Sequence, residues 1–264
     1  THLGHSFPTR RSSDLELGAG TGLLSLVWAK MSDRLLADAT TPQDDKRSVV
    51  LATDFHPGVL ENLRKNVADN EAAAEDAVAS DRTCALSVHK LDWSAVHASR
   101  SHSLQFKNSL VMPAPFDQPF EMILAADCIY GPEHALWLRS CCEQFLTRPA
   151  GAPNPPYASP YPSPTSSPSL RPIDSAFAMT TLEDELPELP CETSAFHLIV
   201  PLRPTHQLAI ASIADVFPMA EDLVAKRKKG DWKIAIQSVV EVKRVRGVGR
   251  VDEGSYRLYR IGWC

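Results

Sequence analysis

A chain of 264 residues with 44% hydrophobic composition is long enough for one sizeable core, which makes a single domain the expectation. A formal charge of −5 argues against a protein whose main task is coating nucleic acid, and no apolar run approaches the roughly 20 residues that cross a bilayer. Six cysteines without a Cys-x-x-Cys pair or a metal-like spacing read as reduced thiols of a cytosolic or nuclear protein.

Residues 5–15 resemble one reading frame of a sequencing-adapter oligonucleotide. Residues 1–15 are therefore set aside as non-native, and native sequence is expected from about Glu16, inside a first strand. That strand runs into Gly18-Ala19-Gly20-Thr21-Gly22 and then an apolar helix over 22–30, with loop over 32–47. A strand over 48–54 ends in an acid. Pro57 opens a helix with Val59, Leu60, Leu63 and Val67 on one face, and 69–82 reads as an exposed linker. Strands over 85–91 and 120–127, a helix over 133–145, a strand over 196–202 and a helix over about 205–216 follow. Two final strands, near 234–242 and 256–262, have no helix between them and are expected to pair as a hairpin. Residues 148–193 hold eleven of the 21 prolines and read as a disordered insertion within one domain spanning 16–264. Strands alternating with helices predict a parallel sheet covered on both faces.

The chemistry lies at the strand ends. Glycines at 18, 20 and 22 permit positive φ and a close approach of backbone to ligand, while the helix that follows points its N–H groups there. Glu16 just before them suits a cationic or hydroxyl-bearing ligand and would repel a pyrophosphate. Asp54, Asp92 and Asp127 close three successive strands, and in an open parallel sheet ligands bind beyond the carboxyl ends of the strands. Strand-end aspartates are also ordinary turn residues and helix caps, and Trp93 also reads as a core anchor. His56, His89, His134, His197 and His206 lack ligand spacing, so no metal is expected. The basic runs 226–229 and 243–250 read as a solvated face.

At Glu16-Leu17-Gly18-Ala19-Gly20-Thr21-Gly22-Leu23 and at Asp127-Cys128-Ile129-Tyr130 the chain resembles the seven-strand methyltransferases that use S-adenosylmethionine (SAM). Within them it resembles a fungal-type member of the lysine-methyltransferase-like group called family 16. The resemblance implies an α/β, Rossmann-like seven-strand sheet with helices on both faces and a C-terminal antiparallel hairpin. It implies SAM as cofactor, with Glu16, Gly18, Ala19, Gly20, Gly22, Asp54, Asp92, Trp93 and Ala126 around it. In that pattern Asp54 accepts from the ribose hydroxyls, Asp92-Trp93 borders the adenine and Ala126 brings its backbone close. Asp127 and Tyr130 are the implied catalytic pair, positioning the acceptor beside the methyl rather than attacking as nucleophiles. The implied activity is methylation of a lysine side chain in a protein substrate, by a monomer without membrane or nucleic-acid partners. A small-molecule amine such as nicotinamide is the alternative acceptor, and a non-catalytic binding module the alternative class. Intact glycine and Asp-x-x-Tyr motifs speak against the module.

Overall fold

The computed structural model describes residues 13–37, 48–75, 84–106, 112–149, 194–224, 232–244 and 254–264. Its strands are β1 (Ser13–Leu17), β2 (Ser48–Asp54), β3 (Cys84–Lys90), β4 (Met122–Ala126), β5 (Ala195–Pro201), β6 (Ile234–Lys243) and β7 (Ser255–Trp263). The helices are α1 (Leu23–Ala37), α2 (Pro57–Glu75), α3 (Trp93–Phe106), α4 (Pro132–Phe145), α5 (Gln207–Val216) and the short α6 (Ala220–Val224). One sheet takes the order β3-β2-β1-β4-β5-β7-β6. Pairing is parallel from β3 to β5, β7 runs antiparallel to β5, and β6 pairs antiparallel with β7. The expected seven-strand sheet and terminal antiparallel pair are therefore present.

Side-chain alternation divides the core between the two faces. Leu15, Leu17, Leu51, Ile123, Ala125 and Leu198 pack in the large cluster with Val96 of α3, Leu138 and Cys141 of α4, and Ile213 of α5. Val50 and Ala52 point the other way, toward Ala29 of α1 and toward Leu60, Leu63 and Val67 of α2. Each such leucine or isoleucine removed from water contributes about 1.5–3 kcal/mol.

Several expected boundaries move. Ser13, Asp14 and Leu15, set aside with the opening residues, belong to β1: Leu15 is fully buried, paired beside Leu51 and Ile123. The helix expected over 22–30 continues to Ala37, because Asp33 accepts from the Cys84 backbone N–H at 2.7 Å and ties the extra turns to β3. Helix α2 continues to Glu75, through half of the expected linker, and Lys30 of α1 donates to Asn70 on that extension at 3.3 Å. Helix α3 was not anticipated. Its Ser- and His-rich sequence has no continuous apolar stripe; Val96 reaches the core, and polar partners on α4 add to that hold. Arg100 meets Glu143 at 2.6 Å, and His97 Nδ1 lies 2.8 Å from Ser140 Oγ. The short α6 was likewise not anticipated.

The proline-rich insertion, the run at 226–229 and the hairpin turn lie outside the described residues, apart from Arg148 and Pro149. Among the described residues Cys84, Cys128, Cys141, Cys142 and Cys264 are buried thiols and no helix is long and apolar enough to cross a membrane.

Candidate functional site

The β1–α1 turn sits near the middle of the sheet, between the ends of β2 and β4. Gly18, Gly20 and Gly22 have φ of 73°, 55° and 85°, values that side chains other than glycine rarely adopt. Ala19 N–H donates to Thr53 O at 2.8 Å and fastens the turn to β2. Steric crowding also disfavours a side chain at two of the glycines. A Cβ on Gly22 would run into Leu63 of α2, and one on Gly18 would lie 3.0 Å from the Trp93 ring and 3.4 Å from Cys128 Cβ. Gly18 is thus where the turn, the end of β3 and the Asp-x-x-Tyr segment meet. Among the described residues nothing lies within 4 Å of a Cβ on Gly20, so they leave the turn open at that point.

Glu16 is 2% exposed, and its Oε2 accepts from both the backbone N–H (2.9 Å) and the hydroxyl of Ser25. Burial raises its pKa above the ordinary 4.5, with the Ser25 bonds opposing. The acid expected to face a ligand therefore anchors the first turn of α1.

Asp54 is divided between two tasks. Oδ1 accepts from the N–H groups of Phe55 (2.8 Å) and His56 (3.1 Å), which starts α2, while Oδ2 accepts from Gly20 N–H at 3.3 Å. Its carboxylate thus borders the open side of the turn. Asp92 takes the helix-cap reading. Its Oδ1 accepts from Ser94 N–H (2.9 Å), Ser94 Oγ–H (2.6 Å) and Ala95 N–H (3.2 Å), and chiefly the Ser94 hydroxyl lowers its pKa. Trp93 is partly buried and packs against the core, edge-on to His134 with centroids 6.3 Å apart. Its Nε1 is buried with no hydrogen-bond partner among the described residues.

Ala126 ends β4 beside Ile199. Asp127 then adopts a left-handed φ of 49°, donates its N–H to Ile199 O at 3.0 Å, and is gripped by Arg203. The guanidinium donates from Nη1 to Oδ1 at 3.0 Å and from Nη2 to Oδ2 at 2.6 Å. Tyr130 is 63% exposed, and partial burial followed by the Asp127 charge pushes its phenol pKa up, so it stays a neutral hydroxyl. His134 closes the loop: its Nδ1 lies 3.1 Å from Tyr130 N and 3.2 Å from Cys128 O, and its ring meets those of Tyr130 and Trp137. Sequence reasoning missed both Arg203 and His134. Arg203 follows an apolar strand just as the three aspartates do, and that placement was its only signal.

SAM, the cofactor expected from the sequence, fits these residues. The glycine turn is open at Gly20, the Asp54 carboxylate lies beside it for a diol, and the buried Trp93 N–H awaits an acceptor such as a heteroaromatic nitrogen. The convergence at Gly18 brings the turn next to Cys128, one residue from Asp127.

The chain is 30% identical over 132 residues to the protein-lysine N-methyltransferase EFM2 of Saccharomyces cerevisiae. The aligned region covers 50% of this chain and 25% of that one, so the chain spans about a quarter of that relative's length. Among solved structures, an O-methyltransferase from Bacillus cereus, in complex with SAH, aligns at TM-score 0.44 and 8% identity, covering 95% of this chain and 74% of that one. The rRNA methyltransferase aviRa from Streptomyces viridochromogenes aligns at 0.41 and 12%, covering 95% and 76%. At those scores the likeness carries no argument. The family model described as lysine methyltransferase matches residues 5–150, more than half of the chain, and the protein therefore belongs to the lysine methyltransferase family.

Proposed function

We propose that this chain is a SAM-dependent N-methyltransferase that methylates a lysine side chain of a protein. The observation that carries the reading is the meeting of the Gly18 turn with Trp93 and Cys128, which supports a SAM site beside the Asp127–Tyr130 segment. The family and the aligned yeast relative support the choice of lysine and of a protein acceptor. SAM, when bound, supplies an activated methyl group on a sulfonium, so the protein's work is to bind, orient and exclude water.

Gly18, Ala19, Gly20, Gly22 and Ala126 give backbone access to the cofactor, Asp54 accepts from the ribose, and Trp93 donates Nε1–H to the adenine. Glu16 and Asp92 act one step back, holding the starts of α1 and α3. On the acceptor side the Asp127 carboxylate receives the lysine ammonium and the Tyr130 hydroxyl walls the channel. The ammonium must release its proton to solvent before it attacks, because only the neutral amine carries the lone pair that displaces the sulfonium. Tyr130 and Leu208, 63% and 82% exposed, come after β4 and β5 in the chain, and exposed apolar side chains of this kind suit a macromolecular acceptor better than a small enclosed amine. The buried thiols suit the reducing cytoplasm or nucleus, where we place the protein as a monomer.

The test is transfer of labelled methyl from SAM into fractionated lysate, with mass spectrometry locating the product. Lysine methylation of a protein is expected. Label confined to arginine, or to a free small amine, overturns the lysine reading, and SAM binding without transfer to any fraction favours a binding module.

A further inference from the structure

Arg203 stands out as a side chain that the assignments above do not use. It is 7% exposed, whereas the Asp127 carboxylate it grips is 47% exposed. The residue before it is anchored twice. Leu202 donates to Ser255 O at 2.8 Å and accepts from Gly254 N–H at 3.4 Å, which ties the segment to the start of β7. Pro204 follows and disfavours a helical Arg203, which sits at φ −109°, ψ 137°. A rigidly mounted guanidinium thus holds a carboxylate whose own backbone is left-handed, across the ends of β5 and β4.

The geometry points to Arg203 as the positioning residue that sets lysine-over-arginine specificity at Asp127, an inference that rests on the lysine reading above. An ionised carboxylate offers about four lone-pair sites on two oxygens. The Arg203 fork takes one on each oxygen, leaving the paired face occupied by a guanidinium already in place. An incoming ammonium is a compact point charge and needs a single remaining lone pair. An incoming guanidinium reads a carboxylate through two parallel bonds, and that face is filled by its own kind. Discrimination therefore comes from an occupied partner, with the width of the aromatic channel secondary.

The test measures binding of side-chain analogues to the full-length protein saturated with S-adenosylhomocysteine, so that it does not depend on turnover. The probes are n-butylammonium and n-propylguanidinium, read by calorimetry or ligand-observed NMR. The wild type is expected to prefer the ammonium by about tenfold or more. Arg203→Met frees the paired face and should bring the preference to about twofold or less, with S-adenosylhomocysteine affinity held within about threefold. Arg203→Lys, which restores a cation but no fork, should not restore the preference. A preference unchanged in Arg203→Met, or a wild type that favours the guanidinium or binds neither probe, overturns the proposal. If Arg203→Met fails to fold, Arg203→Gln, which offers one amide group and no charge, is read in the same way. The lysate assay reads the lysine assignment separately. Methylation of a small amine alone would defeat that assignment and still leave the preference ratio to judge Arg203.

Discussion

Ser25 directs both its backbone N–H and its hydroxyl at one oxygen of Glu16, so the buried acid at the end of β1 caps the helix that begins across the glycine turn. Two strand positions earlier, Asp14 accepts from Trp28 Nε1 at 2.7 Å, so the same face of β1 puts two acids under α1.

Burial raises both carboxyls above their ordinary 4.5 and 3.8, with the hydrogen bonds from Ser25 and Trp28 opposing. Stability contributed by a raised carboxyl is fully present below its unfolded pKa and is lost as pH rises through the folded one. A tenfold difference in acidity between the two states corresponds to about 1.4 kcal/mol. Glu16→Gln keeps an acceptor for Ser25 and removes the ionisation, so its urea midpoint should gain on the wild type as pH rises from 4.5. Ser25→Ala, which strips the carboxylate of its donor hydroxyl, should cost about 1–3 kcal/mol. Parallel pH profiles for Glu16→Gln and wild type would exclude this account.

Asp54→Ala should weaken SAM by about 1.5–3 kcal/mol, the range of hydrogen bonds to a charged group, in calorimetric titration. It should also lower stability by about 1 kcal/mol, because Phe55 and His56 lose the acceptor that starts α2. A stability loss with unchanged SAM affinity would leave Asp54 as a turn residue.

Trp93→Phe removes a buried N–H that has no partner among the described residues. If that N–H donates to the adenine, S-adenosylhomocysteine affinity should fall by about 0.5–1.5 kcal/mol. Retained affinity in calorimetry would assign Trp93 to packing alone.

Tyr130→Phe should keep SAM affinity and slow single-turnover methylation, because the proposed function puts the phenol on the acceptor side. Asp127→Asn should slow it more, since a charge-assisted bond is roughly twice as strong as a neutral one, and it also breaks the charge pair with Arg203. Loss of SAM binding in Tyr130→Phe would move that residue into the cofactor pocket.

Replacing residues 149–190 by a short Gly/Ser linker should leave melting temperature and SAM affinity nearly unchanged. The flanks already meet, with Ser194 Oγ donating to Thr147 O at 2.8 Å, and loop-closure entropy varies slowly with length. A fall of many degrees in a thermal melt would mean that the segment packs on the domain.

Much of the fold was legible because its signals are local. Apolar runs ending in Asp54 and Asp127, the Pro57 helix start and the glycines at 18, 20 and 22 each reflect strand burial or backbone freedom within a few residues. The helix extensions to Ala37 and Glu75 were not legible, because Asp33–Cys84 and Lys30–Asn70 join residues far apart in sequence. Helix α3 lacked a periodic stripe, and its polar partners lie on α4. At the candidate site, sequence alone determined which acids stand at the carboxyl edge of the parallel strands: a strand-end carboxylate is a property of chain order and of the parallel crossover. What each acid does was decided by the tertiary structure. Ser25 claims Glu16, Ser94 claims Asp92, and Arg203, 76 residues away, claims Asp127. A carboxylate's partners depend on the register of neighbouring strands and on which helix starts beside it, and those are set only when the sheet has formed.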